Sequence, residues 1–236
     1  MDNTFDWYAF SDGLGKISCN RIIHSAKDKW GNAEIGHQYD LSHEEKVLHK
    51  NFPFSNQEIA KTHFSTGATS VVEQKSLPRT KEDKKYRLCE TSWTEEKWIY
   101  DAVWPYMEEA NKVSGWRYDI KYAESMQITK YEKDGYYNFH KDGKSDHLST
   151  YNMPENGYFH DKIRKLSMSV SLNEDFEGGD LELAFYKEEK CHIETIKTNK
   201  LGTVVVFPSY QEHRITPVTK GTKYSLVVWF IGPPFV

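Results

Sequence analysis

The chain has 236 residues, a formal net charge of -4 at pH 7 and a sequence pI near 6.2. Its 38% hydrophobic and 14% aromatic content is enough to build a core, whereas a mean hydropathy of -0.76 argues against residence in a membrane. The acidic balance excludes a global electrostatic attraction to nucleic acid, so we expect neither a nucleic-acid nor a membrane partner.

The start of the chain and its cysteines bear on the compartment. Residues 1–6 have neither the basic start nor the apolar centre of a secretory signal. Cys19, Cys89 and Cys191 are too few and too scattered for a disulfide framework or a zinc site. Together these features predict a cytoplasmic protein with reduced thiols.

The organisation of the sequence changes near residue 120. We expect residues 1–119 to form a helical and irregular region that packs on a core formed by residues 120–236, as parts of one integrated domain. Within the first region, residues 1–92 show little regular pattern. A capping box predicts one helix over residues 42–50, and the mixed-sign run 79–87 predicts a solvated loop.

The clearest helix is predicted over residues 94–112. Thr94 or Ser92 can cap it, and Glu95 and Glu96 suit its positive N-terminus. Bulky or apolar side chains recur along it at helical spacing, namely Trp98, Ala102, Tyr106 and Ala110. We expect this stripe to pack on the outside of the larger sheet of the core.

From Met126 onward short strands follow one another. They are predicted at residues 126–132, 136–141, 166–172, 180–185, 191–196, 203–207, about 212–217 and 223–231. Serines at 167, 169 and 171 alternate with apolar residues, which indicates a strand with one apolar face. Eight strands at this density predict a double-sheet jelly roll buttressed by N-terminal helices, an α+β fold that is mainly β.

Two connections stand out among these strands. Glycine adopts positive φ without steric cost, so Gly178 and Gly179 predict a tight hairpin connection into the strand that follows. Residues 143–163 are too long and too polar for a simple connection, and they predict a mobile lid over a substrate. Its expected substrate contacts are Tyr151, Tyr158 and Phe159.

Three residues form a candidate metal site. Side chains two apart on a strand point the same way, so His140 and Asp142 can bind one metal ion from one strand end. His213 lies close to two further predicted strands, which a barrel would bring to the same place. Two imidazoles and one carboxylate form the facial triad that holds iron in non-haem iron oxygenases.

Lys223 and Tyr131 are candidates for binding a co-substrate. A lone cation near a buried metal site is costly unless an anion neutralises it, and Lys223 opens the last predicted strand. A dicarboxylate that chelates the metal at one end would present its far carboxylate to this lysine. Tyr131 could donate a phenolic hydrogen bond to the same carboxylate.

A larger set of motifs then resembles the catalytic domain of prolyl 4-hydroxylase-type 2-oxoglutarate and iron(II)-dependent dioxygenases. The residues that carry the resemblance are Tyr131, Tyr137, His140, Asp142, the run 164–173, the turn 176–182, His213 and Lys223. It extends over about residues 120–232. The resemblance implies that His140, Asp142 and His213 bind Fe(II), that Lys223 and Tyr131 bind 2-oxoglutarate, and that Tyr137 and Arg164 face the substrate.

The resemblance also implies the reaction. Fe(II), 2-oxoglutarate and O2 would together hydroxylate an unactivated C-H bond with release of succinate and CO2, and ascorbate would re-reduce oxidised enzyme. A prolyl residue in a peptide or protein is the leading candidate substrate. Another amino-acid side chain, a small molecule or a nucleic acid stays open as a substrate, as does a non-enzymatic jelly-roll module that binds a metal or ligand.

Overall fold

The computed structural model of the chain describes residues 5–33, 86–143, 148–187 and 190–235. Within these ranges the chain forms fifteen strands and two helices, α1 (Lys16–Ser25) and α2 (Lys97–Val113). Neither of these two helices combines the length and the apolar character needed to cross a bilayer. The predicted helix over residues 42–50 lies outside the described residues.

The strands are arranged in two main antiparallel sheets. The larger sheet contains β1 (Tyr8–Phe10), β2 (Gly31–Asn32), β4 (Glu90–Thr94), β5 (Tyr122–Ala123), β6 (Met126–Tyr131), β8 (Ile163–Ser171), β12 (Val204–Pro208) and β15 (Lys223–Gly232). The smaller sheet contains β3 (Arg87–Leu88), β7 (Tyr136–His140), β10 (Leu181–Lys187), β11 (Lys190–Ile196) and β13 (His213–Ile215). The short strands β9 (Phe176–Gly178) and β14 (Val218–Gly221) pair with each other. The predicted jelly-roll architecture, mainly β, is confirmed.

All eight predicted strands are present, but the chain before residue 120 is more regular than predicted. Strand β1 pairs with β12, and β4 pairs with β6, so early segments complete the larger sheet. Helix α1 was missed because its N-cap, Gly15, has no side chain with which to signal a cap. Burial of Cys19 and Ile22 stabilises it instead.

Helix α2 packs on the larger sheet as predicted, although its start and its buried face differ from the prediction. Thr94 belongs to β4, so the helix begins at Lys97, and its N-cap Glu96 makes no side-chain capping bond. The residues it buries in the core are Ile99, Tyr100, Val103, Met107 and Ala110. This buried face is offset by one position from the predicted stripe. Of the residues in that stripe, only Ala110 is fully buried, because the large aromatic side chains lie at the edge of the contact.

The larger sheet has an apolar face toward the helices and a more polar face toward the barrel interior. Met168, Val170 and Leu172 join the core formed with α2, as the serine alternation predicts. A second apolar cluster fills the space between the sheets, and it includes Tyr131 and Phe207 of the larger sheet. Polar side chains of β8 therefore face the interior, where the candidate site lies.

The connection at Gly178 and Gly179 is not the predicted hairpin. Both glycines have positive φ, 73° and 63°. However, β9 pairs with β14, and β10 pairs with β11 and β13, so the two flanking strands do not pair with each other. A β-carbon on Gly178 would lie 2.4 Å from the carbonyl oxygen of Pro217, which explains why the chain needs glycine where it passes between sheets.

Candidate metal centre

His140, Asp142 and His213 meet at one end of the smaller sheet. His140 ends β7 and His213 begins β13, and the two residues are cross-strand partners. The Nε2 atom of His140 lies 3.7 Å from one carboxylate oxygen of Asp142, and Nε2 of His213 lies 3.6 Å from the other. The three candidate ligand atoms lie within 4.8 Å of one another, which is close enough to contact one metal ion.

Hydrogen bonds fix which imidazole nitrogen is available to a metal. Nδ1 of His140 lies 2.8 Å from the carbonyl oxygen of Asn138, and Nδ1 of His213 lies 2.9 Å from that of Gln211. A carbonyl oxygen only accepts, so each Nδ1 carries the hydrogen and each Nε2 keeps a free lone pair. This tautomer is the one that binds a metal through Nε2.

Electrostatics keeps His140 and Asp142 in their metal-binding forms. Burial, together with the neighbouring His213, lowers the pKa of His140 to about 3, so its ring is neutral. Burial alone would raise the pKa of Asp142, but both imidazoles, Arg164 and the Ser167 hydroxyl lower it below its ordinary value. Two imidazoles and one carboxylate are a donor set that fits Fe(II).

The Asp142 carboxylate is also oriented from behind. The hydroxyl of Ser167 donates to Oδ2 of Asp142 at 2.7 Å and lies 2.9 Å from the hydroxyl of Ser209. The backbone N-H of Asp142 donates to the carbonyl oxygen of Ser209 at 2.9 Å. Asp142 is therefore held by Ser167 of β8 and by Ser209, which directly follows β12, as well as by its own loop.

Lys223 and Tyr131, the predicted co-substrate residues, lie side by side in the barrel interior. They are cross-strand partners on β15 and β6, and they are 1% and 2% exposed. Nζ of Lys223 donates to the carbonyl oxygen of Gly179 at 2.5 Å and to Oγ1 of Thr198 at 2.7 Å. Burial lowers the pKa of Lys223 to about 7, and the carboxylate of Asp180 only partly opposes this shift.

The apolar interior connects this pair with the metal centre. Tyr131 and Phe207 belong to the same buried cluster. The ring of Phe207 contacts the ring of His213 edge to face, with centroids 4.7 Å apart. The two predicted subsites therefore lie in one continuous interior.

Comparison with known proteins identifies this part of the chain. Residues 126–231 match the model of the 2OG-Fe(II) oxygenase superfamily. This part of the chain is therefore similar in sequence to 2OG-Fe(II) oxygenase domains. The match begins at the first residue of β6 and ends within β15, so it contains the triad, Lys223 and Tyr131.

Curated relatives of the oxygenase domain are PKHD-type hydroxylases. One from Synechococcus sp. (strain CC9311) is 34% identical over 104 residues, which are 43% of this chain and 39% of that protein. Another, from Idiomarina loihiensis, is 29% identical over 109 residues, which are 46% of this chain and 43% of that protein. The similarity thus spans about two fifths of these relatives' length.

Two solved structures are similar to this chain in fold. The viral collagen prolyl hydroxylase of Paramecium Bursaria Chlorella virus-1 covers 98% of both chains with a TM-score of 0.56 and 17% identity. A Pseudomonas putida prolyl-4-hydroxylase covers 96% of this chain and 92% of its own, with a TM-score of 0.54 and 16% identity. At these identities the likeness concerns the fold.

The two predicted substrate residues of the oxygenase domain differ in their surroundings. The ring of Tyr137 stacks on His140 with centroids 3.6 Å apart. Arg164 is held by Glu124 through two hydrogen bonds of 2.7 and 2.6 Å, and its guanidinium lies 4.1 Å from the ring centroid of Trp229. Both residues lie near the triad, since Arg164 lowers the pKa of Asp142 and Tyr137 contacts His140.

The segment predicted as a lid makes contacts with the body of the domain where it is described. The hydroxyl of Tyr151 donates to Oε1 of Glu124 at 2.6 Å, and the ring of Tyr158 contacts that of Tyr122. Residues 144–147 lie outside the described residues. A substrate lid in residues 143–163 stays a prediction.

Several residues of this interior were not anticipated from the sequence. Ser167 could have been found from the serine alternation of β8, but Thr198 and Glu124 carry no pattern that marks them. Arg87 was expected in a solvated loop, and that expectation is wrong because Arg87 is only 6% exposed. Its charge suggested solvent, whereas its pairing with β7 turns the side chain inward.

Proposed function

We propose that this chain is an Fe(II)- and 2-oxoglutarate-dependent dioxygenase that hydroxylates an unactivated C-H bond. The observation that carries the proposal is the convergence of His140, Asp142 and His213, with both Nε2 atoms available, in an interior that also holds the buried ammonium group of Lys223, which donates to a carbonyl and a hydroxyl oxygen. His140, Asp142 and His213 would hold the iron. Lys223 and Tyr131 would bind the far carboxylate of 2-oxoglutarate.

The protein groups in this proposal bind and orient, and they take no covalent part. The bound iron and 2-oxoglutarate would supply the oxidising chemistry, in which one atom of O2 enters the alcohol, the other enters succinate, and CO2 is released. Ser167 and the two backbone carbonyls fix the direction of the ligands. A carboxylate would restore the ordinary protonated form of Lys223, because an adjacent anion raises the pKa of an ammonium group.

The proposed substrate is a prolyl residue in a peptide or protein. The names of both solved structures and the β-structure that they share with this chain support that choice.

Two further parts of the proposal concern conditions. Ascorbate would serve as the reductant that maintains ferrous iron. A cytoplasmic location agrees with the three free cysteines, of which Cys19 and Cys89 are buried.

The test is an oxygen-dependent assay of succinate formation with purified full-length chain, Fe(II), 2-oxoglutarate and prolyl peptide libraries. The proposal predicts that succinate forms only when Fe(II), 2-oxoglutarate and a substrate peptide are all present. Hydroxylated peptide should accumulate together with the succinate. Equal succinate formation without added iron, or with Asp142→Ala, would contradict it. Asp175→Ala is a matched control, because Asp175 is an exposed carboxylate that belongs neither to the triad nor to the segment predicted as a lid.

A further inference from the structure

Arg87 is a buried cation beside the metal centre for which the proposed reaction gives no role. It pairs in register with Tyr137, and its Cζ atom lies 4.4 Å from the centroid of the Tyr137 ring. The same ring stacks on His140. One tyrosine ring therefore contacts both this guanidinium and a triad imidazole.

The hydrogen-bond partners of Arg87 do not neutralise it as carboxylates would. Its Nε donates to Sγ of Cys89 at 3.0 Å, and its Nη2 donates to Oε1 of Gln127 at 2.6 Å. Burial raises the pKa of the Tyr131 hydroxyl, and the neighbouring Arg87 opposes that rise. None of these neighbouring groups is a carboxylate.

Two other arginines have a carboxylate partner, unlike Arg87. Arg164 pairs with Glu124, and Arg214 pairs with Glu182, both at 2.6 Å. Over the described ranges, no ion pair joins Arg87 to an acidic side chain. A guanidinium group keeps its proton in proteins, so Arg87 stays charged in a place where water cannot solvate it well.

A charge count points to the source of the missing anion, and this step rests on the proposed function. Ferrous iron, Lys223 and Arg87 together contribute four positive charges and Asp142 contributes one negative charge, whereas the ion pairs Arg164–Glu124 and Lys197–Asp180 contribute no net charge. The two carboxylates of 2-oxoglutarate, one at the metal and one at Lys223, leave one positive charge in the interior. That charge belongs to Arg87, next to Tyr137, which is the residue predicted to face the substrate.

We infer that Arg87 binds a carboxylate of the molecule that is hydroxylated. This narrows the proposed substrate to compounds with a carboxylate close to the oxidised carbon, such as a free amino acid, a C-terminal residue or a residue beside an acidic side chain. An arginine suits this task because its planar group of N-H donors matches a carboxylate. The other possible source of a carboxylate is 2-oxoglutarate itself, and the experiment distinguishes the two.

The first measurement is 2-oxoglutarate binding to the full chain loaded with Mn(II) under nitrogen, where no turnover occurs. Lys223→Met should raise the dissociation constant at least about tenfold, whereas Arg87→Gln should leave it within about twofold of wild type. A tenfold rise in Arg87→Gln would overturn the inference by assigning the carboxylate to 2-oxoglutarate. Failure of wild type to bind 2-oxoglutarate would instead refute the proposed function.

The second measurement uses matched probes in the aerobic Fe(II) assay of succinate formation. Free L-amino acids and short prolyl peptides are compared with the same compounds in which every carboxylate is a carboxamide. Wild type should be stimulated at least about tenfold more by an acid than by its amide, and Arg87→Gln should lose that preference. Arg87→Lys, which keeps the charge, should recover part of it.

Two results in this assay would overturn the inference. One is a rate of succinate formation by wild type that is the same with acids as with amides. This includes the case in which neither kind of compound raises the rate. The other is an acid preference that survives in Arg87→Gln. Cys89→Ser should keep the preference for acids, because the inference assigns the counter-charge of Arg87 to a substrate carboxylate and not to the Cys89 sulfur. Loss of the acid preference in Cys89→Ser would contradict the inference.

Thermal unfolding of the metal-free proteins separates binding from a structural role. An Arg87 that only supports the fold would lower the melting temperature when replaced by Gln. The inference predicts no such loss, because removing a buried charge without a carboxylate partner relieves desolvation. A lower melting temperature together with unchanged probe selectivity would contradict it.

Discussion

The rings of His140 and His213 lie 4.1 Å apart across β7 and β13, and each has its Nδ1 hydrogen-bonded to a carbonyl oxygen two residues earlier in its own chain segment. The same hydrogen-bond arrangement on two different strands thus orients both Nε2 atoms toward one point. Asp142 approaches that point from the end of β7 and is held by Ser167 of β8. The site is preorganised by backbone geometry, so single changes behind the ligands should have measurable effects.

Replacing Ser167 by alanine should weaken metal binding. The variant removes the hydrogen bond that orients the Asp142 carboxylate, and loss of such an outer partner typically costs about 10- to 100-fold in metal affinity. Titration of the purified protein with Fe(II) under nitrogen measures the change. Ser169→Ala, two residues along the same face of β8, is the control; an equal loss in both variants would show that the serine face matters only for folding.

Replacing Lys223 by methionine should stabilise the metal-free protein while it abolishes tight 2-oxoglutarate binding. Burial lowers the pKa of Lys223 from 10.5 to about 7. Below pH 7 the group is charged in both the folded and the unfolded states, so the full cost of burying the charge is present. As pH rises from about 7 to 10.5 the folded state releases its proton first, and the cost disappears.

The stability gain of Lys223→Met should therefore be largest below pH 7 and vanish near pH 10.5. Urea unfolding at several pH values gives the free energy of unfolding for both proteins. Lys220→Met is a matched control because Lys220 is an exposed lysine on the neighbouring strand β14. A variant that is less stable than wild type at pH 6 would contradict the desolvation account.

The pair of Arg164 and Glu124 should be strongly coupled. Replacing either partner alone, as Glu124→Gln or Arg164→Gln, leaves a largely buried charge unmatched and should cost about 3–5 kcal/mol in the free energy of unfolding. The double variant should cost less than the sum of the single ones. Additive effects in a double-mutant cycle would show that the two side chains do not interact in solution.

Helix α2 should contribute to stability through its buried face. Met107 is 1% exposed in the core between α2 and the larger sheet, and Met107→Ala should lower the free energy of unfolding by about 2–5 kcal/mol. Chemical denaturation measures this change. Glu109→Ala, on the exposed side of the same helix, should change it by less than about 0.5 kcal/mol, and similar losses in both would refute the assigned orientation.

The sequence predicted the structure where a repeat of residue types, such as the alternation along a strand, determines the direction of the side chains. The spacing of His140 and Asp142 is that of one strand face, and the serines of β8 alternate with the residues that pack on α2. The pair of Lys223 and Tyr131 followed from charge and from strand order. These features depend on neighbouring residues in the chain, so they can be recognised without a structure.

The environment of Arg87 could not be predicted in this way. Apart from Cys89, its partners lie on β6 and β7, and Gln127 is 40 residues away in sequence. A charged residue at the end of a charged run indicates solvent unless the strand pairing is known. The partners of Lys223 are equally non-local, because Thr198 and Gly179 lie in connections that carry no periodic pattern.

The most direct test of the central claim is equilibrium binding of Fe(II) and 2-oxoglutarate under nitrogen to wild type, His140→Ala, Asp142→Ala and His213→Ala. The account predicts one Fe(II) per chain in wild type, loss of tight Fe(II) binding in each variant, and 2-oxoglutarate binding that depends on the metal. Each variant should keep its folded circular dichroism spectrum. Stoichiometric Fe(II) binding that survives in folded Asp142→Ala would contradict the account.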